Sequence, residues 1–218
     1  MNATPRLEAQ RSLFLALALA VALPAPALAQ DVARGEVLFS LCAQCHGADG
    51  GGDAVALAPA IGGLPTWFVT GQLKKFRSGG RGTHFDDISG MRMRPMSLWL
   101  RNDDDVANVA AYVATLPKAN PAPTLTGGNA ETGKLKYAPC TACHGVNGEG
   151  NQALSAPPLA GASDWYQLTS LHKFKAGVRG TNPKDTTGML MRPMSMTLAD
   201  EQAMLDVIAY ISTLSAAK

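Results

Sequence analysis

The chain has 218 residues, 46% hydrophobic and 17% charged, with 19 Lys+Arg against 17 Asp+Glu. That composition belongs to folded globular protein, enough for one large or two small domains, and excludes disordered and fibrous classes. A formal net charge of +2 gives no field strong enough to hold nucleic acid or an anionic membrane surface, so a nucleic-acid partner is excluded.

In chain order, Arg6 and Arg11 precede an apolar run from Leu13 to Leu23 and then Ala27-Leu28-Ala29. Residues 1–29 are read as a signal peptide, because the apolar run falls short of the ~20 residues that span a bilayer and ends in small residues. The mature chain is expected to start near Gln30 and to be soluble and exported, with a retained membrane anchor as the rival reading. A first helix is predicted behind the N-cap Asp31, running through Val37-Leu38-Phe39 toward Cys42 and Cys45. A second starts at Thr66, carries Trp67 and Phe68, and stops at Gly79. A methionine-rich loop, Gly90 to Ser97, follows. A third helix begins after Asn102, where Asp103-Asp104-Asp105 suits the positive end of the helix dipole and Val106, Val109, Ala110 and Val113 recur at helical spacing. Pro117 to Pro123 contains three prolines and reads as an extended spacer closed by Gly127-Gly128.

From there the chain repeats itself. Adding 98 to a residue number maps Cys42–Leu116 onto Cys140–Leu214 without insertions, and 31 of the 75 pairs are identical. That level marks a duplicated domain. The expected organisation is a first domain over 30–117, a linker over 118–128 and a second domain over 129–218. The class is all-α, since no strand-like alternation occurs and the helix signals recur at matched positions. Domains of about 90 residues are small for a self-sufficient core, and a large cofactor would complete each of them.

All four cysteines lie in two copies of one motif, Cys42-Ala43-Gln44-Cys45-His46 and Cys140-Thr141-Ala142-Cys143-His144. This is the C-x-x-C-H pattern of covalent c-type haem attachment: two thiols one helical turn apart form thioethers, and the adjacent imidazole faces the iron. A disulfide leaves each histidine without a purpose. A thioredoxin-type pair requires a βαβ setting, and a four-cysteine zinc site requires closer pairs. Two covalently bound haem c groups are therefore expected, with His46 and His144 as iron ligands.

The second ligand decides what such an iron does, because a His/Met pair closes the coordination sphere and raises the potential, whereas an open position invites catalysis. Seven of the nine methionines lie at or beside the loops Met91-Arg92-Met93-Arg94-Pro95-Met96 and Met189-Leu190-Met191-Arg192-Pro193-Met194. Methionine commonly fills core gaps, but three paired positions keep it across a duplication that changed more than half its residues. One methionine of each loop is read as a ligand, and spacing leaves open which.

Other residues carry less. His84 and His172 pair with Asn182 and Lys74 at offset 98 and read as surface histidines. The basic cluster Lys74, Lys75, Arg77, Arg81 and its counterpart Lys173, Lys175, Arg179 reads as a solvated helix face, from which Arg81 and Arg179 are singled out to pair haem propionates. Trp67 and Trp165 read as core residues. The clusters Gly50-Gly51-Gly52 and Gly148-Glu149-Gly150 lack the Lys-Ser/Thr of a phosphate loop and read as close turns.

The duplicated C-x-x-C-H, the following Pro59/Pro157 and Gly63/Gly161, the methionine segments and a closing helix with Ala111-Tyr112 and Ala209-Tyr210 together resemble the dihaem cytochrome c4 family of class I cytochromes c. The resemblance covers essentially the whole mature chain. It implies two tandem class I cytochrome c domains related by a pseudo-twofold axis, with propionates meeting at the interface. It also selects Met93 and Met191 as ligands, seven residues before Leu100 and Leu198, with Met96 and Met194 as alternatives. The run Met91–Met96 departs from the family in its richness in methionine and arginine. The implied function is a periplasmic electron carrier, with no catalytic residues of its own, between a quinol–cytochrome c reductase and a terminal oxidase; peripheral membrane association stays open. The alternative is the electron-accepting subunit of a periplasmic dehydrogenase acting on a sulfur compound or an alcohol. An enzyme in its own right would need an open ligand position on one haem, and the matching methionine loops argue against it.

Overall fold

The computed structural model describes residues 30–214; the predicted leader, 1–29, lies outside them. The first half is built from four helices, α1 (Val32–His46), α2 (Thr66–Ser78), α3 (Ile88–Trp99) and α4 (Asp103–Thr115). The second half answers with α5 (Ala130–Tyr137), a 3-10 turn (Ala138–Cys140), α6 (Thr141–His144), α7 (Asp164–Lys175), α8 (Thr186–Met196) and α9 (Glu201–Thr213). Among the described residues, extended pairing is confined to isolated bridges, Asp53 with Ala58 and Asn151 with Ala156. The molecule is therefore all-α, as expected.

The predicted caps form, and so do their counterparts 98 residues on. Asp31 accepts from the Arg34 amide at 2.8 Å, Asn129 from Thr132 at 3.0 Å, and Asn102 and Asp200 from Asp105 and Ala203 at 2.8 Å. Each satisfies a donor that the first helical turn leaves without a partner. Gly79 takes up the left-handed conformation, φ 77°, that ends α2.

Two expectations are corrected. The methionine segments are not loops but the helices α3 and α8, because Asp87 and Asp185 cap them by accepting from the Gly90 and Gly188 amides at 3.1 Å. The helix continues through Pro95 and Pro193, which removes one backbone donor from each without ending it. The first helix of the second half is also not continuous. Pro139, which stands where the first half has Leu41, has no N–H to give to the preceding turn, and the chain tightens into the 3-10 turn before α6.

In each half the first and last helices cross at a glycine. A Cβ at Gly35 would run into the Asn108 carbonyl, and one at Gly133 into the Asp206 carbonyl. The side chains of the same two residues tie these crossings, with Asn108 Oδ1 accepting from the Asp31 amide at 2.8 Å and Asp206 Oδ1 from the Asn129 amide at 2.9 Å. Around these crossings lie two small cores. One is built on Leu38, Phe39, Leu73, Leu100, Val106, Val109 and Val113, the other on Tyr137, Leu198, Met204, Val207, Ile208 and Ile211.

The halves meet through α2 and α7 and the segments entering α3 and α8. Lys75 pairs with Asp185 at 2.5 Å and Lys173 with Asp87 at 2.6 Å. Adding 98 converts one pair into the other with the halves exchanged, which is the signature of an isologous, pseudo-twofold contact. Between the halves the chain from Pro117 to Asn129 forms no helix. It is held at both ends: the Ala119 amide donates to Gly62 O at 3.1 Å, and Asp164 accepts from the Thr124 and Leu125 amides at 2.6 and 2.7 Å.

Candidate functional site

Helix α1 presents Cys42, Cys45 and His46 on one turn; Cys42 packs against the first core while Cys45 is exposed. In the second half Cys140 closes the 3-10 turn, and Cys143 and His144 end α6. Burial pushes the Cys42 thiol up to about 11 and raises Cys140 as well.

His46 and His144 are each 7% exposed. Their Nδ1 atoms lie 2.8 Å from the carbonyl oxygens of Pro59 and Pro157. A carbonyl only accepts, so Nδ1 carries the proton and Nε2 offers its lone pair. Burial lowers both pKa values, which keeps the rings neutral. A neutral imidazole with its far nitrogen tied to a backbone carbonyl is the form that binds a metal. Glycines make room for these carbonyls: Gly52 and Gly150 are left-handed (φ 86° and 82°), and a Cβ on either would crowd the chain just after Pro59 or Pro157.

Of the methionines in α3, Met93 is half-buried and packs against the same core as Cys42, whereas Met91 and Met96 are exposed. In α8, Met191 and Met194 are both half-buried and Met189 and Met196 exposed. Burial thus singles out one methionine in the first half and leaves two in the second.

Of the expected propionate partners, Arg81 is buried and Arg179 half-buried, so these two do not share the solvated face expected of the cluster around them. Arg81 is 8% exposed, and its guanidinium lies over the Phe76 ring at 4.4 Å. Arg179 lies over Phe174 at 4.3 Å, and burial together with Arg81 pulls its pKa down to about 10. Arg81 donates to Tyr166 Oη across the interface at 3.3 Å. Burial works to raise the Tyr166 phenol, but Arg81 and Arg179 outweigh it and draw it down to about 7.

The Nε atoms of Arg81, Arg179, Arg94 and Arg192 are buried without a hydrogen-bond partner. Buried donors normally find acceptors, and a carboxylate-bearing ligand supplies them. The donor set as a whole therefore fits haem c: paired thiols, a neutral oriented imidazole, a half-buried thioether sulfur and guanidiniums whose Nε lacks a partner.

The remaining residues behave as surface or packing groups. His84 stacks on Phe85 at 4.7 Å, and His172 lies 3.2 Å from Glu201. Trp67 and Trp165 are half-buried, edge-on to Phe68 and Tyr166. Sequence reasoning missed the carbonyls of Pro59 and Pro157 as histidine partners. It also missed the interfacial quartet Lys75, Lys173, Asp87 and Asp185, although all four are identical pairs at offset 98.

The family model for cytochrome c matches residues 32–117 and 130–215. A thiosulfate dehydrogenase electron acceptor from Stutzerimonas stutzeri is 35% identical over 164 residues, covering 71% of this chain and 72% of the relative. Cytochrome c4 of Azotobacter vinelandii is 32% identical over 185 residues, covering 79% and 84%. Among solved structures, reduced recombinant cytochrome c4 from Pseudomonas stutzeri superposes with a TM-score of 0.67 at 25% identity, covering 85% of this chain and all of that one.

Proposed function

Because the chain belongs to the cytochrome c family, and within it to the dihaem cytochrome c4 group with two covalently bound haem c, we propose that it carries electrons in the periplasm between a quinol–cytochrome c reductase and a terminal oxidase. The electron-transfer units are residues 30–117 and 129–218, joined by the linker 118–128. Cys42, Cys45, Cys140 and Cys143 would hold the two groups covalently, and His46 with Met93 and His144 with Met191 would ligate the irons. Bound there, haem c supplies a one-electron ferrous/ferric couple.

The chain's own contribution is preorganisation. The Pro59 and Pro157 carbonyls hold the imidazoles in one tautomer and orientation, with Nε2 free to ligate. Arg81 and Arg179 bring positive charge to the propionates at the interface, and the apolar cores keep water from the irons. The observation that carries this reading is the neutral, oriented histidine beside a paired-cysteine turn with a half-buried methionine on a capped helix, present in both halves.

A second partner is favoured by the 35% identity to the thiosulfate dehydrogenase electron acceptor: a periplasmic dehydrogenase that oxidises a sulfur compound and delivers its electrons here. Among the described residues no helix is long and apolar enough to cross a membrane, and both readings place the carrier in the periplasm.

Stopped-flow mixing distinguishes the two partners. Rapid oxidation of the reduced protein by a haem–copper oxidase at physiological ionic strength supports the respiratory role. Failure there, with rapid reduction of the oxidised protein by thiosulfate dehydrogenase and thiosulfate, supports the second role instead. Transfer in neither direction rejects both partners.

A further inference from the structure

The quartet at the interface does more than join two surfaces. Asp87 is the N-cap of α3, the helix that carries Met93, and Lys173, which reaches its Oδ1 at 2.6 Å, belongs to α7 of the other half. The same Nζ donates to Ser89 Oγ at 2.7 Å, also in the first turn of α3. The mirror set is present: Lys75 of α2 pairs with Asp185, the N-cap of α8, at 2.5 Å and donates to Thr187 in the first turn of that helix.

These are enclosed contacts. The lysine side chains are 15% and 16% exposed and their aspartates 2% and 1%. Each aspartate has a second oxygen, Oδ2, buried with no partner, so the lysine is its main compensating charge. Removing one member of such a pair leaves an uncompensated buried charge, and the surviving group must move or take up a proton to relieve it. Here the surviving group is a helix cap, and its movement loosens the first turn of the methionine helix.

We propose that Lys173 and Lys75 are positioning residues acting across the interface, each fixing the axial-methionine helix of the opposite half through its capping aspartate. The proposal rests on the assignment of Met93 and Met191 as ligands. Its consequence is reciprocal coupling, since each half's ligand methionine is steadied by a lysine on a helix of the other half. A lysine serving only to hold the halves together would affect both sites alike.

The test uses the intact dihaem protein in its ferric state. The axial-methionine methyl resonances are assigned to their halves with Met93→Ala, and the rate at which cyanide displaces each methionine is followed. In Lys173→Gln, displacement at Met93 is expected to accelerate about fivefold, the scale of a lost helix-cap interaction, with Met191 little changed. Lys75→Gln is expected to give the opposite pattern. Lys173→Arg keeps the charge, offers a second stable variant if the glutamine form folds poorly, and is expected to stay near the parent rate. Adding Asp87→Asn to Lys173→Gln should accelerate Met93 no further than Asp87→Asn alone, because the two act through one contact.

Equal effects in both halves, an effect confined to the half that carries the substitution, or no effect in either glutamine variant each overturns the proposal. Absence of any methionine-ligation signal from the unsubstituted protein is a separate result. It rejects the ligand assignment itself and the proposal with it.

Discussion

The two halves reach the same cysteine–histidine turn by different routes. The first arrives on an unbroken helix of 15 residues, while the second arrives through an 8-residue helix, a 3-10 turn and a 4-residue helix. Both deliver a histidine whose Nδ1 sits 2.8 Å from a proline carbonyl. The cores also diverge, with Val106 and Val113 replaced by Met204 and Ile211. So do the surfaces. Phe85, Ile88 and Trp99 are exposed in the first half where Pro183, Thr186 and Thr197 stand in the second. The donor atoms, the helix caps and the interfacial ion pairs are common to both. The approach path and the filling differ between the halves, whereas the cysteine–histidine turn and the contacts with the opposite half are kept.

The comparison breaks most completely at the cysteines. Replacing Cys42 and Cys45 by serine is expected to lower the pyridine-haemochrome count from two haems per chain to one, with the second half still loaded. The next effect falls on the methionine helix. Met93→Ala is expected to remove the long-wavelength ferric band of one haem and open that reduced iron to carbon monoxide, whereas Met96→Ala leaves both spectra intact; the reverse outcome moves the ligand to Met96.

A purely structural contrast follows. Gly35→Val forces a side chain into the Asn108 carbonyl and is expected to destabilise the first half by roughly 3 kcal/mol. Gly71→Ala, whose Cβ would meet nothing within 4 Å, is expected to stabilise α2 by about 1 kcal/mol. Thermal unfolding of each variant checks both signs.

The smallest effect concerns acid. Burial works against the charge of Asp87, yet Lys173 holds its pKa below the usual carboxylate range. Its contribution to stability is therefore complete above the ordinary aspartate range and is lost as pH falls through and below it. A denaturation series across that range is expected to show a shallower acid slope in Asp87→Asn than in the parent.

Much of this was legible because the duplication supplied its own control. The caps Asp31, Asn102, Asn129 and Asp200, the two C-x-x-C-H turns and the stop at Gly79 follow from side-chain chemistry local to a few residues. The methionine helices were not legible. Gly90, Pro95 and Pro193 argue against a helix, and α3 and α8 fully bury only Gly90, Ser97, Gly188 and Ser195, so the usual core-facing stripe is missing. The break at Pro139 could have been read from the single residue, but the helical start behind Asn129 masked it. Lys75 and Lys173 look like solvated helix charges until the second half is packed against the first, since burial of a long cation is a property of the assembled interface.

The clasp of Asp164 on the linker has a bearing on how many chains make one particle. A self-complementary face of this kind can be satisfied within one polypeptide or by trading halves between two copies. Thr124 and Leu125 are held by Asp164, and Ala119 by Gly62, so the connecting strap is fastened at both ends over its own chain. Closure on itself then carries little further loop-closing entropy. Unfastening the strap, as Asp164→Ala would do, shifts the balance toward exchanged pairs at high protein concentration. One carboxylate at the first turn of α7 thus helps set whether the particle is a monomer or an entwined dimer.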